Sequence, residues 1–243
     1  MGAEANSGRQ RRRRVAIWDM PTRLFHWVVV LLFIALWITG TDGPLDWHIP
    51  IGEALLALLL FRLAWGIVGS RHSRFSDFVV GPRAAWQHAH EMLRVALRGA
   101  AGAPPEADAA HAPHAGHTRI GGWMILVLLA LLLAQSVSGL FASDEITTDG
   151  PLTHLVSGHA ERMFSDYHSI AFNVLLALIA VHIAAALFYL VRKRENLILP
   201  MITGRAELPE TAAASEGRFA SGWLALALLA VAVAIVWAAV TLL

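Results

Sequence analysis

Cysteine is absent from the 243-residue chain, which excludes disulfides, thiolate zinc sites, iron–sulfur clusters and covalent haem attachment at a Cys-x-x-Cys-His motif. Charge is scarce as well. Charged residues make up 15% of the chain against 56% hydrophobic ones, and the mean hydropathy is +0.56, a balance poorly compatible with a compact water-soluble enzyme. Nineteen basic and eighteen acidic residues nearly cancel, so the global positive field of a nucleic-acid binder is missing and no nucleic-acid partner is expected. No segment alternates apolar and polar residues as a half-buried strand does, and nothing repeats at a fixed period. What the chain has instead is twelve histidines and long apolar runs. With thiolates gone, histidine is the main candidate metal ligand.

Five stretches reach the roughly 20 apolar residues that a helix needs to cross a bilayer core: 24–40, 49–68, 120–141, 170–191 and 219–242. The segment before Leu24 is too basic for the membrane core. No small-residue cleavage site follows the first run before Asp42, so that run reads as a retained signal anchor. Lys and Arg number six before the first span, none in 41–48, six in 69–119, one in 142–169 and five in 192–218. The positive-inside rule therefore puts the basic tail 1–14 and the two long connections in the cytoplasm. Asp144, Glu145, Asp149, Glu161 and Asp166 give 142–169 the acidic character of an outer loop, and five spans leave the C-terminus outside.

Between the second and third spans, residues 82–97 carry Trp86, Met92, Leu93 and Leu97 at helical spacing with Arg83, Arg94 and Arg98. That pattern suits a short helix at the lipid headgroups, or equally an ordinary solvated one. Residues 99–117, rich in Ala, Gly and Pro, read as a flexible linker.

Ionisable groups inside spans are expensive and usually face a protein interior, a cofactor or water. Here His26 lies near the cytoplasmic start of the first span, His48 opens the second at the outer face, His168 sits at the outer start of the fourth and His182 deep within it. Arg62 and Glu53 are the other ionisable residues of the first four spans. His168 and His182, fourteen residues apart, share one helix face and differ in depth by about 21 Å. Since the first span runs outward and the fourth inward, His26 matches His182 in depth and His48 matches His168. Two depth-matched pairs suit two iron porphyrins, each held from both sides inside an antiparallel four-helix bundle. Gly52, one turn from His48 on the same face, leaves room for a flat macrocycle, although glycine is also common in membrane helices for packing alone. Arg62, fourteen residues from His48, is placed to meet a haem propionate at the inner depth, or to snorkel toward the cytoplasm.

These residues resemble the bacterial cytochrome b561 family, which includes the b-type cytochrome subunits of membrane-bound nickel–iron hydrogenases. The resemblance is carried by the run Trp18-Asp19-Met20-Pro21-Thr22-Arg23-Leu24-Phe25-His26-Trp27 and by His48 with Gly52 and Arg62. Leu63-Ala64-Trp65-Gly66-Ile67-Val68-Gly69, Gly81-Pro82, Gly116-His117 before Gly121-Gly122, and His168 with His182 complete it. It covers most of residues 15–204 and leaves 205–243 as a linker and a fifth helix. It implies an all-α membrane protein, a four-helix transmembrane bundle holding two haem b groups; the additional fifth span, mostly Ala, Leu and Val with no ionisable residue, reads as an anchor or a contact with a second copy of the chain. The implied ligands are His26 with His182 on the cytoplasmic side and His48 with His168 on the periplasmic side. The implied function is electron exchange, in the bacterial inner membrane, between the lipid-dissolved quinone pool and a periplasmic hydrogenase or c-type cytochrome. Asp19, Arg23 and Arg71 on the inner face are candidates for quinone contact, and the acidic loop 142–169 for partner docking, with headgroup contact and plain solvation as the alternatives. Two other readings compete: a metal transporter using the histidines directly, with His111, His114 and His117 as a cytoplasmic metal tract, and a redox-silent anchor subunit. His88 and His90, two residues apart, face different sides of a helix and do not make a metal pair.

Overall fold

The computed structural model describes residues 12–41, 43–79, 119–144, 146, 148–209 and 219–243. The expected helix at 82–97, the linker 99–117 and the histidines at 88, 90, 111, 114 and 117 lie outside them. Five helices are long and apolar enough to cross a membrane: α1 (Met20–Thr41), α2 (Leu45–Val68), α3 (Arg119–Gly139), α4 (Gly158–Phe188) and α5 (Gly222–Leu242). Each forms where the sequence leads it to expect a span. The chain is a multi-pass helical membrane protein.

Polar residues rather than the apolar runs fix the helix starts. Asp19 caps α1, its Oδ1 accepting the Thr22 N–H at 2.8 Å, with Pro21 in the first turn where a missing N–H costs nothing. Ser157 caps α4 and Ser221 caps α5 in the same way. The cap at Ser157 starts α4 well before the apolar run at 170, so His168 lies inside the helix rather than at its start. At about 1.5 Å per residue its 31 residues span about 46 Å, more than the bilayer core of about 30 Å, and its polar first turns stand clear of the apolar zone. A π-helical turn, Tyr189–Lys193, ends the helix.

Helix α2 is the centre of the molecule. It packs against α1, α3 and α5, and α4 packs against α3. Leu55 and Leu59 of α2 meet Leu129 and Leu132 of α3 and Leu175 of α4, and Phe25, Val29, Leu32, Phe33 and Leu36 of α1 close over them. The outer faces of α1 and α4 expose Leu31, Ile34, Ile38, Ile170, Val174 and Val181, as lipid-facing helices do. Ala225, Ala232 and Val236 form one stripe of α5, buried against Phe61, Trp65, Leu56 and Ala57 of α2. The fifth helix therefore covers α2 of its own chain.

The reading that no segment forms a strand is corrected. Strand β1 (Arg12–Ala16) pairs antiparallel with β2 (Arg205–Pro209), Arg14 opposite Glu207 and Ala16 opposite Arg205. Val15, Ile17 and Trp18 are buried beneath it against Met201 and Ala206. Five residues of which three are arginines offer too few apolar alternations to register as a strand. The pairing joins the end of the basic tail to the chain just beyond residue 204. Gly204, at φ +79°, makes the turn, its carbonyl accepting from both Ile17 and Trp18.

Candidate functional site

Helices α2 and α4 bring the rings of His48 and His168 opposite each other on the side of the acidic loop, centroids 6.2 Å apart and planes nearly perpendicular at 76°. Their tautomers follow from the hydrogen bonds. Thr39 Oγ1 donates its proton to the Ala35 carbonyl at 2.8 Å, so at 3.2 Å it can only accept from His48 Nδ1. His168 Nδ1 lies 3.0 Å from the Gln135 carbonyl, which has no proton to give, and 3.2 Å from Ser138 Oγ. Both rings thus carry their proton on Nδ1. Both leave the Nε2 lone pair free, the form a metal requires.

Each ring also lies on a glycine. A Cβ at Gly40 would fall 2.9 Å from His48 Cε1, and one at Gly139 would fall 2.9 Å from His168 Cε1. Thr39-Gly40 ends α1 as Ser138-Gly139 ends α3, so the two hairpins hold their histidines by the same device. Sequence reasoning missed these four residues and Gln135, whose Nε2 donates to the His168 carbonyl at 2.9 Å. The available signal was the hydroxyl-glycine pair closing the first and third apolar runs.

On the opposite, arginine-rich side stand His26, in the second turn of α1, and His182, in the inner half of α4. His26 Nδ1 is buried with no hydrogen-bond partner among the described residues, and the Trp27 indole stands edge-on at 5.0 Å. Arg62, 3% exposed, lies over the rings of Phe75 at 5.0 Å and Phe25 at 5.9 Å, and one of its terminal nitrogens has no partner among the described residues. The Phe75 ring rests directly on Gly66, one turn from Arg62. At Gly52 an added Cβ would meet only Leu36, at an ordinary 3.9 Å. The space beside His48 is there, but nothing in the packing requires glycine.

The expected quinone contact is corrected for Asp19. Asp19 is 4% exposed and fully engaged, with Oδ2 accepting from Trp65 Nε1 at 3.0 Å and Ser73 Oγ at 3.1 Å besides the Thr22 cap. Arg23 donates to the Ile202 carbonyl at 2.6 Å. Burial turned an apparent surface carboxylate into a structural lock between α1 and α2. Arg71 keeps an exposed side chain, 3.7 Å from Asp77.

Among the described residues no three His, Cys, Asp or Glu gather as a metal site. A bare ion usually takes three or four protein donors, whereas a macrocycle brings its own equatorial nitrogens and needs only two axial ones. The spacing fits: with about 2.0 Å from metal to nitrogen and about 1.1 Å from nitrogen to ring centre, imidazoles on opposite sides of one iron have centroids about 6.2 Å apart. A family model described as prokaryotic cytochrome b561 matches residues 17–204. The chain belongs to the prokaryotic cytochrome b561 family. It binds b-type haem and carries electrons in the membrane. Among curated proteins, the chain is similar to the probable Ni/Fe-hydrogenase 1 B-type cytochrome subunit of Escherichia coli (strain K12), 24% identical over 213 residues, covering 77% of this chain and 88% of the relative. A probable Ni/Fe-hydrogenase B-type cytochrome subunit of Bradyrhizobium diazoefficiens is 23% identical over 223 residues, with 81% and 87% covered. No solved structure matches the chain. Within this cytochrome b561 chain, α5 lies beyond the region that the family model matches.

Proposed function

We propose that this cytochrome holds two haem b groups, His26 with His182 on the cytoplasmic side and His48 with His168 on the periplasmic side. Through them it passes electrons across the bacterial inner membrane between the quinone pool and a periplasmic redox partner. The observation that carries the reading is the pair His48 and His168, fixed 6.2 Å apart with both Nδ1 atoms engaged. Held by these histidines from both sides, haem b would supply one-electron redox chemistry and leave no position open for oxygen, which suits electron transfer.

The chain's own residues do the rest. Thr39 and Ser138 fix the outer rings, and Gly40 and Gly139 give them room. The leucines around Leu175, seven residues from each α4 histidine, keep water out of the space between the two levels. Arg62, buried with a nitrogen to spare, supplies a counter-charge for a propionate of the inner haem. A hydrogenase is the partner favoured by the names of the similar proteins, and the acidic loop offers a surface that steers a basic patch toward the outer haem.

Dithionite-reduced membranes from an overexpressing strain are expected to show b-type bands, abolished when His26→Ala and His168→Ala are combined. A colourless, well-expressed protein contradicts the reading and favours direct metal handling by the histidines.

A further inference from the structure

The four rings differ in what holds their second nitrogen. His48 Nδ1 donates to Thr39, and His168 Nδ1 faces the Gln135 carbonyl and Ser138. No hydrogen bond to His26 or His182 occurs among the described residues. A hydrogen bond given by Nδ1 makes an imidazole a more basic ligand through Nε2, and a more basic axial ligand favours ferric over ferrous iron. At the other level the opposite influence acts. The buried Arg62 cation lies fourteen residues inward of His48, beside Phe25, the neighbour of His26. A positive charge there favours the ferrous state, which carries one positive charge fewer.

Resting on the two-haem reading above, we propose that Thr39 and Ser138 are positioning residues that act through His48 and His168 to hold the outer haem at a lower reduction potential than the inner one. An electron then passes downhill from the periplasmic to the cytoplasmic level. The outer iron goes from ferrous to ferric as the inner goes from ferric to ferrous, with no bond broken and no proton moved.

The test is an equilibrium redox titration of the purified holoprotein, followed in the b-type absorption bands, which resolves two one-electron waves. In the Thr39→Val, Ser138→Ala double variant the lower wave shifts upward by about tenfold in the ferrous-to-ferric ratio, or about 59 mV, while the upper wave stays. Exchanging the hydroxyls, Thr39→Ser with Ser138→Thr, leaves both waves in place. His182→Ala removes the inner haem, and the surviving wave is the lower one. The proposal is overturned if the double variant leaves both waves unmoved, if the upper wave shifts instead, or if His182→Ala retains the higher wave. Should the double variant lose its outer haem, the His182→Ala result decides alone. Absence of b-type bands from the unaltered protein removes the haem reading itself.

Discussion

At Gly40 and Gly139 one added methyl group is enough to displace the ring of His48 or His168, because its carbon would sit 2.9 Å from the imidazole. Gly139→Ala is expected to lower haem content from two to about one per chain, measured as haem against protein, whereas Gly52→Ala retains both. Equal haem in the two variants contradicts the packing argument. Asp19 tests a different layer. Asp19→Ala leaves the buried Trp65 indole N–H without its acceptor, at a cost of about 2 kcal/mol. A lower thermal midpoint in detergent is the expected readout, and an unchanged midpoint contradicts the lock.

The meeting of His48 with His168 was legible in the sequence because depth follows from helix rise and facing from the 100° turn. Thr39, Ser138 and their glycines were not. They act across the hairpin, and no count along one helix shows which residue of its neighbour meets a ring. Asp19 was misread for a related reason: charge in a sequence suggests a surface, while its burial depends on Trp65 and Ser73, 46 and 54 residues away.

Among the elements, the five apolar runs were plain from hydropathy, but the polar extension of α4 was not, since only the lipid-facing part of a helix must be apolar. The β1–β2 pair escaped for want of alternation. It ties the start of α1 to the end of the α4 connection, with Trp27 Nε1 also donating to the Met201 carbonyl across the same seam. Helix α5 contributes no histidine and covers α2 through Ala225, Ala232 and Val236. A chain ending at residue 218 is therefore expected to keep both haems and to unfold at a lower temperature, as Trp65 and Phe61 lose their cover. Loss of haem on that truncation contradicts the assignment of all four ligands to α1, α2 and α4.

For the whole molecule, the absence of cysteine makes orientation measurable without background labelling. Ile146→Cys, at an 86% exposed position in the acidic loop, is expected to react with an impermeant maleimide in intact cells whose outer membrane has been opened. Arg205→Cys, in β2, reacts only once the inner membrane is broken. The reverse pattern overturns the inside and outside assigned from arginine distribution.

The pairing of ligands is the claim on which electron transfer across the bundle depends, and haem content per chain in double histidine variants measures it most directly. His48→Ala with His168→Ala should remove one haem and leave the other, as should His26→Ala with His182→Ala, while His26→Ala with His48→Ala should leave none. A protein that keeps one haem in the last combination, or loses both in either of the first two, contradicts the pairing.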